Sequence, residues 1–284
     1  MELMTFWDDV VERMDWVGGV ESLRTGPDRF NVDVQISAGL LHAGYPIQGP
    51  TWASEELVVL PELRRSGNWG YFHELGHEKQ RNNVLGHGYD SAWTFSGDVE
   101  VTVNIFANAG LELQVPGSPT NGWGYSVYPE LVMQRASTTT TDAGKPNFDD
   151  KDPYPFYFQL ADGEWGWQGY RDVLSTYVDD YRNTPNELPG DNTDEKDQWL
   201  IRWSQISGYD MTEYMVGHWN LEVTPGAIAQ VESMNLPSWM PLAVKKDVIR
   251  SQIPAGSVQT LDLANAGMGL DGVATFVSTG ANTN

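Results

Sequence analysis

The sequence predicts an α+β fold, with short strands in its first sixty residues, helices through its middle and short strands again at its end. Three observations carry this. Apolar residues recur at three- and four-residue spacings near the N-terminus and in several segments after residue 69. Short alternating or apolar runs, bounded by Gly and Pro, fall before Pro61 and after Ala243. The chain has 284 residues, 40% of them apolar and 12% aromatic, enough to close a sizeable core rather than remain disordered.

The elements follow in order. Phe6, Val10, Met14 and Val17 line one face of a helix that ends near Gly18-Gly19. Residues 31–37 alternate and read as a strand, residues 39–50 as a Gly- and Pro-rich loop, and residues 57–60 as a short apolar strand stopped by Pro61. Ser66-Gly67-Asn68 is a turn, after which a helix runs from Trp69 or Gly70 to about Gln80, where Asn82-Asn83 and Leu85-Gly86 break it. Residues 98–113 read as another helix. Strand propensity competes there, because Val99, Val101 and Val103 alternate with polar residues, and only the chemistry argued below decides for the helix. Residues 137–198 are polar and acidic; within them 154–160 and 165–181 have helical periodicity, while 179–197 reads as a solvated loop. Two short helices at 197–206 and 210–219 are separated by Ser207-Gly208, with Asp210 or Thr212 as N-cap of the second. The tail from Ala243 suggests short strands, and no internal repeat is visible.

The charge balance is 17 basic against 39 acidic residues, a net of −22. A field of that sign repels nucleic acid and anionic membranes. No run of about 18 apolar residues is present, so the chain reads as not transmembrane. There is no cysteine, which excludes disulfides and thiolate metal sites and leaves His, Asp and Glu as ligands for any metal. The first residues, Met1-Glu2-Leu3-Met4, are acidic where an export leader would be basic, so the chain reads either as unexported or as a mature form. Twelve tryptophans are numerous; most are read as packing residues, some as faces for sugar rings.

The segment His73-Glu74-Leu75-Gly76-His77 carries the chemistry. Residues i and i+4 share a helix face, so two imidazoles can converge on one zinc ion, and Glu74 beside them can act as a general base. Composition alone would produce this pattern about 0.005 times in such a chain. The third ligand stays open on chemistry alone. Asn83 stands where a third histidine of the His-Glu-x-x-His-x-x-Gly-x-x-His class would fall. His87 lies ten residues on, flanked by glycines. Glu100 is the stronger candidate, because Glu100 and Asn104 form a second i, i+4 pair in which Glu100 binds metal and Asn104 hydrogen-bonds a ligand histidine.

With those residues stated, the chain resembles the M60-like, enhancin- or mucinase-type zinc metallopeptidases of the gluzincin branch. The resemblance rests on His73-Glu74-Leu75-Gly76-His77 and on Glu100-Val101-Thr102-Val103-Asn104 with Ile105-Phe106 after it, residues 78–99 giving the family spacing. It extends over residues 28–240, through the segment 30–47, Trp69-Gly70, Gln80, Tyr157-Phe158-Gln159-Leu160, Trp165-Gly166-Trp167, and Ser207-Gly208-Tyr209-Asp210-Met211-Thr212 with Trp219. His218 is a departure from the family pattern, as is the lack of flanking carbohydrate-binding modules.

The resemblance implies a zincin-like fold with a mixed N-terminal sheet subdomain to about residue 80, an active-site helix bearing the histidines, and a mainly helical C-terminal subdomain to about 242. Residues 243–284 then either finish that domain or begin a small accessory one. It implies zinc held by His73, His77 and Glu100, Glu74 as general base, and Asn104 and Asp98 behind the ligands. The oxyanion donor is expected among Tyr209, His87, Tyr89 and His218. The implied substrate is a mucin-like O-glycoprotein cut beside a glycosylated Ser or Thr, with Trp93, Trp123 and Tyr125 as candidate sugar contacts. His42 reads as structural. The implied protein is a monomer, secreted or at the cell surface, from a bacterium. Three alternatives stand beside this: a gluzincin endopeptidase with no glycan requirement, an inactive glycan-binding or adhesin module on the same fold, and a glycoside hydrolase using paired carboxylates.

Overall fold

The computed structural model describes residues 1–23, 26–37, 39–80, 92–114, 153–161, 163–241, 258–262 and 273–277. Helix α1 (Glu2–Gly18) buries Phe6, Trp7, Val10, Val11, Met14 and Val17, the face expected from the spacing, and ends on Gly19 in the left-handed conformation (φ 65°). A Cβ at Gly19 would lie 2.4 Å from Ser175 Oγ, so both the backbone and the close approach of a later helix require glycine there.

Two short strands follow. β1 (Phe30–Asp33) pairs in parallel with β2 (Ile47–Pro50), Phe30 opposite Ile47. The strand expected over 31–37 is therefore cut short. Asp33 Oδ1 accepts from Val34 N (2.6 Å), a local side-chain bond that competes with the ladder. The expected loop 39–50 yields a strand at its end, because Ile47 buries its side chain fully. The strand expected at 57–60 is overturned outright. Those residues lie in α2 (Glu55–Val58) and the start of α3 (Leu60–Ser66), with Leu57 and Leu63 turned inward. Pro61 occupies the first turn of α3, where a missing N–H costs nothing.

Helix α4 (Trp69–Gln80) packs along α5 (Val99–Gln114) and, less extensively, against α1. The helix at α5 overrides strand propensity for a visible reason: residues 102–111 are buried without a break. A helix buried on all sides loses its 3.6-residue polarity pattern, so the alternation of valines was a poor guide.

The described residues from 153 to 241 are largely helical: α6 (Tyr154–Ala161), α7 (Gly166–Asn183), α8 (Asn192–Ser207), a π-helical turn (Glu213–His218) and α9 (Pro225–Ser233). The loop expected over 179–197 is mostly helix. α7 runs on to Asn183, and Asp191 starts α8 by accepting from Thr193 N (2.8 Å) and Asp194 N (3.0 Å). Replacing Asp191 by Ala is expected to cost about 1 kcal/mol, read from a denaturant midpoint shift at unchanged slope. Helix α9 was not anticipated, although its signal was present: Thr224 Oγ1 accepts from Ala227 N, and Pro225 opens the helix. β3 (Val258–Asp262) and β4 (Val273–Val277) pair antiparallel, as the short-stranded tail suggested.

Among the described residues, Trp7, Trp93, Trp199, Trp203, Trp219 and Trp239 are core, while Trp52 is exposed. Trp199 and Trp203 are fully buried on one face of α8, among Tyr157 and Tyr170. No helix among the described residues is long and apolar enough to cross a membrane.

Candidate metal centre

The centre is built by two helices in contact. Asn68 Oδ1 accepts from Tyr71 N (2.9 Å) and caps α4, which then buries Tyr71, Phe72, Leu75 and Gly76. Gly76 lets the helices close: a Cβ there would stand 2.7 Å from the Val103 carbonyl oxygen. That approach brings the α4 face bearing His73 and His77 against the first turn of α5, where Glu100 sits. A carboxylate is favoured at that end of a helix by its unpaired N–H groups.

His73, His77 and Glu100 offer ligand atoms that all lie within 4.8 Å of one another. Glu100 Oε2 is 3.0 Å from His73 Nε2 and 3.5 Å from His77 Nε2. The two imidazoles stand nearly perpendicular, ring centres 4.7 Å apart. Zinc bonds of about 2.0–2.1 Å in a tetrahedron require ligand atoms about 3.3–3.4 Å apart; the two Glu100 edges bracket that value, within a cluster that spans up to 4.8 Å. The donor set therefore fits a divalent ion that favours nitrogen and oxygen. The neighbouring imidazoles, His73 first and then His77, hold the Glu100 carboxyl well below the usual carboxylate range, so it is ionised at neutral pH and ready for a cation.

The histidine side chains are 9% and 5% exposed, that of Glu100 73%. The imidazoles form a dry floor and the carboxylate an open edge. That asymmetry suits a catalytic centre, which keeps a position for water or substrate, better than a closed structural one. Glu74 follows His73 on α4 and is partly exposed, unlike the buried histidines either side of it.

Asn104 lies where the i, i+4 pairing places it. Its Oδ1 is 3.2 Å from His73 Nδ1 and accepts from Trp69 Nε1 (2.7 Å), while its Nδ2 donates to the Glu100 carbonyl (2.7 Å). Trp69 also packs its ring on His73, centres 4.8 Å apart. Replacing Asn104 by Leu is expected to weaken zinc binding about 10–100-fold, measured by competition with a chromophoric chelator. Asp98 precedes α5. Its backbone carbonyl accepts from Val101 N and Thr102 N, and its carboxylate accepts from Tyr157 Oη (2.8 Å).

Sequence reasoning gave no role to Gln80, whose Oε1 lies 2.9 Å from His77 Nδ1. The signal was its place three residues after His77, on the same helix face.

The other described candidates have neighbours of their own. Trp93 is 4% exposed and stacks on Trp199 (6.2 Å, 25°), in the core rather than on an open surface where a sugar ring would rest. Tyr209 follows α8, its ring 6.0 Å from that of Trp165, and its hydrogen bond to Glu164 raises its phenol pKa. His218 ends the π-helical turn, edge-on to Trp219. His42 exchanges two backbone hydrogen bonds with Gln48. His87, Tyr89, Trp123 and Tyr125 lie outside the described residues.

Residues 1–217 match the family described as peptidase M60, enhancin and enhancin-like. Among curated proteins, the chain is 26% identical over 239 residues to TRPM8 channel-associated factor 3 of Rattus norvegicus, covering 84% of this chain but only 24% of that protein. Among solved structures, it superposes with a TM-score of 0.66 and 21% identity on a functionally unknown conserved protein of Bacillus anthracis, covering 84% of this chain and 47% of the other. It superposes with a TM-score of 0.55 and 15% identity on a metallopeptidase in complex with Tn antigen, again covering 84% and 47%. The expectation of a secreted or cell-surface bacterial protein is corrected by the curated relatives, which are TRPM8 channel-associated factors of rat, orangutan, cattle, human, mouse and frog.

Proposed function

The chain belongs to the peptidase M60, enhancin and enhancin-like family, and from that premise we propose that it is a zinc-dependent endopeptidase of gluzincin type. The observation that carries the reading is the convergence of His73, His77 and Glu100 within 4.8 Å, with a partly exposed glutamate next in sequence to the first histidine. A zinc ion held there would supply Lewis-acid polarisation of a scissile carbonyl and a lowered pKa for a water.

The chain's own residues supply the rest. Glu74 lies about 100° around the helix from His73 and is partly exposed. From there it takes the proton of the attacking water and returns it to the leaving amine. Asn104 and Trp69 hold the His73 ring in place. Glu100 offers its carboxylate from the exposed edge. Tyr209 and His218 remain the described candidates for a donor to the oxyanion, alongside His87 and Tyr89.

The bond cut is proposed to be an ordinary peptide bond in an extended segment. A finer reading adds a glycosylated Ser or Thr beside it, in a mucin-like protein. Its support is the family and the fold shared with a metallopeptidase in complex with Tn antigen. The core position of Trp93 removes one of the rings it invoked. A second reading, a module that binds a protein partner without cutting it, draws on the TRPM8 channel-associated factors that match most of this chain. One experiment separates the three: zinc-loaded protein is incubated with a mucin-type glycopeptide and its unglycosylated copy, and products are read by mass spectrometry. Equal cleavage of both supports the endopeptidase, cleavage of the glycopeptide alone the finer reading, and intact peptides with zinc bound the binding module.

A further inference from the structure

We propose that Gln80 is the positioning residue of His77, fixing its ring so that Nε2, and not Nδ1, is the atom offered to a metal. The inference rests on the reading that His73, His77 and Glu100 form a metal centre, and goes beyond it by assigning what selects the ligand atom.

The argument is one of donors and acceptors. Gln80 is 1% exposed, so its amide must find its partners within the protein. Its Nε2 lies 2.8 Å from the Val99 carbonyl oxygen, which can only accept. Its second N–H reaches Thr102 Oγ1 (2.5 Å), whose own hydrogen is directed to the Asp98 carbonyl (3.1 Å). Both amide hydrogens are thereby engaged, and the opposite end, Oε1, must face His77 Nδ1 at 2.9 Å. An amide oxygen only accepts, so Nδ1 of His77 carries a proton. Nε2 is then the ring atom turned to Glu100, 3.5 Å away.

The same logic holds at His73 with different residues. Asn104 Nδ2 is spent on the Glu100 carbonyl, and Oδ1 faces two groups, Trp69 Nε1 and His73 Nδ1. Both histidines are thus held in one tautomer by amides that are themselves tied to the backbone of α5. Asn104 rides on α5 with Glu100, while Gln80 rides on α4 with His77 and ties that helix to α5 at Val99 and Thr102.

Both partners are neutral amides. Carboxylates in the same places would raise the basicity of the imidazoles. With one carboxylate among three ligands, a divalent ion here keeps a net charge of +1, which preserves its pull on a substrate carbonyl. Gln80 thereby orients His77 without weakening the electrophile.

The test compares wild type with Gln80→Met, Gln80→Glu and Thr102→Val. Long-range 1H–15N correlation spectra of the metal-free protein at pH 8 report the His77 tautomer, and chelator competition reports zinc affinity. Wild type is expected to show the Nδ1–H form. Q80M, which keeps length but offers no oxygen, is expected to lose that preference and bind zinc about 10–100-fold more weakly. Q80E, which offers an oxygen to His77 but turns its other oxygen toward the Val99 carbonyl, is expected to recover the tautomer and only part of the affinity, and T102V to fall between wild type and Q80M. Should Q80M fail to fold, the wild-type spectrum with Q80E and T102V still decides. A wild-type His77 protonated at Nε2, or an unchanged tautomer and affinity in Q80M, would overturn the assignment. If wild type binds no zinc while the tautomer still depends on residue 80, the metal reading falls and the hold of Gln80 on His77 stands.

Discussion

Glu74→Gln is expected to retain zinc with near wild-type affinity while hydrolysing peptide about 10²–10⁴-fold more slowly. The reason is positional. Glu74 is not one of the three side chains that converge, and it is partly exposed between buried neighbours. Its amide analogue keeps the shape and the helix but cannot take a proton. Removing a ligand would instead abolish binding and turnover together, so measuring zinc affinity alongside kcat separates a base from a ligand. Unchanged turnover in the variant would remove Glu74 from the mechanism.

Gly76→Ala is expected to destabilise the fold by about 1–3 kcal/mol, the usual range for overpacking, and to loosen the metal centre as well. A methyl group there would meet the Val103 carbonyl oxygen at 2.7 Å, Val103 Cγ2 at 2.9 Å and Phe106 Cβ at 3.3 Å. The nearest of these is backbone, so the strain is relieved only by moving α4 away from α5. His73 and His77 ride on one helix and Glu100 on the other, so the same displacement stretches the 3.0 and 3.5 Å contacts. A lowered thermal midpoint together with weaker zinc binding is the expected result. A loss of stability with zinc affinity intact would show that helix spacing does not govern the centre.

The sequence was most informative where chemistry and periodicity agreed. The helix from Trp69 to Gln80 and the shared face of His73 and His77 followed from spacing, since residues four apart on a helix must share a face, while Glu100 as their partner followed from its pairing with Asn104 and from the family resemblance. The second helix was reachable only through that chemistry, because its burial on every side had erased the amphipathic pattern. Leu57 to Leu60 misled for the opposite reason: a run of four apolar residues has no period, and it became two short helices joined at Val59. Trp93 shows a further limit. Its Gly- and Ser-containing neighbourhood suggested a surface ring, yet partners far along the chain, Trp199 above all, bury it. Gln80 needed the positions of Val99 and Thr102 before its orientation could be deduced.

The most direct test of the central claim is cleavage of a peptide library by the purified chain, followed by mass spectrometry, before chelation, after chelation and after zinc is restored. The account predicts internal peptide-bond cleavage that disappears with chelation and returns with zinc. Cleavage that survives chelation, or none from protein shown to hold zinc, would contradict it.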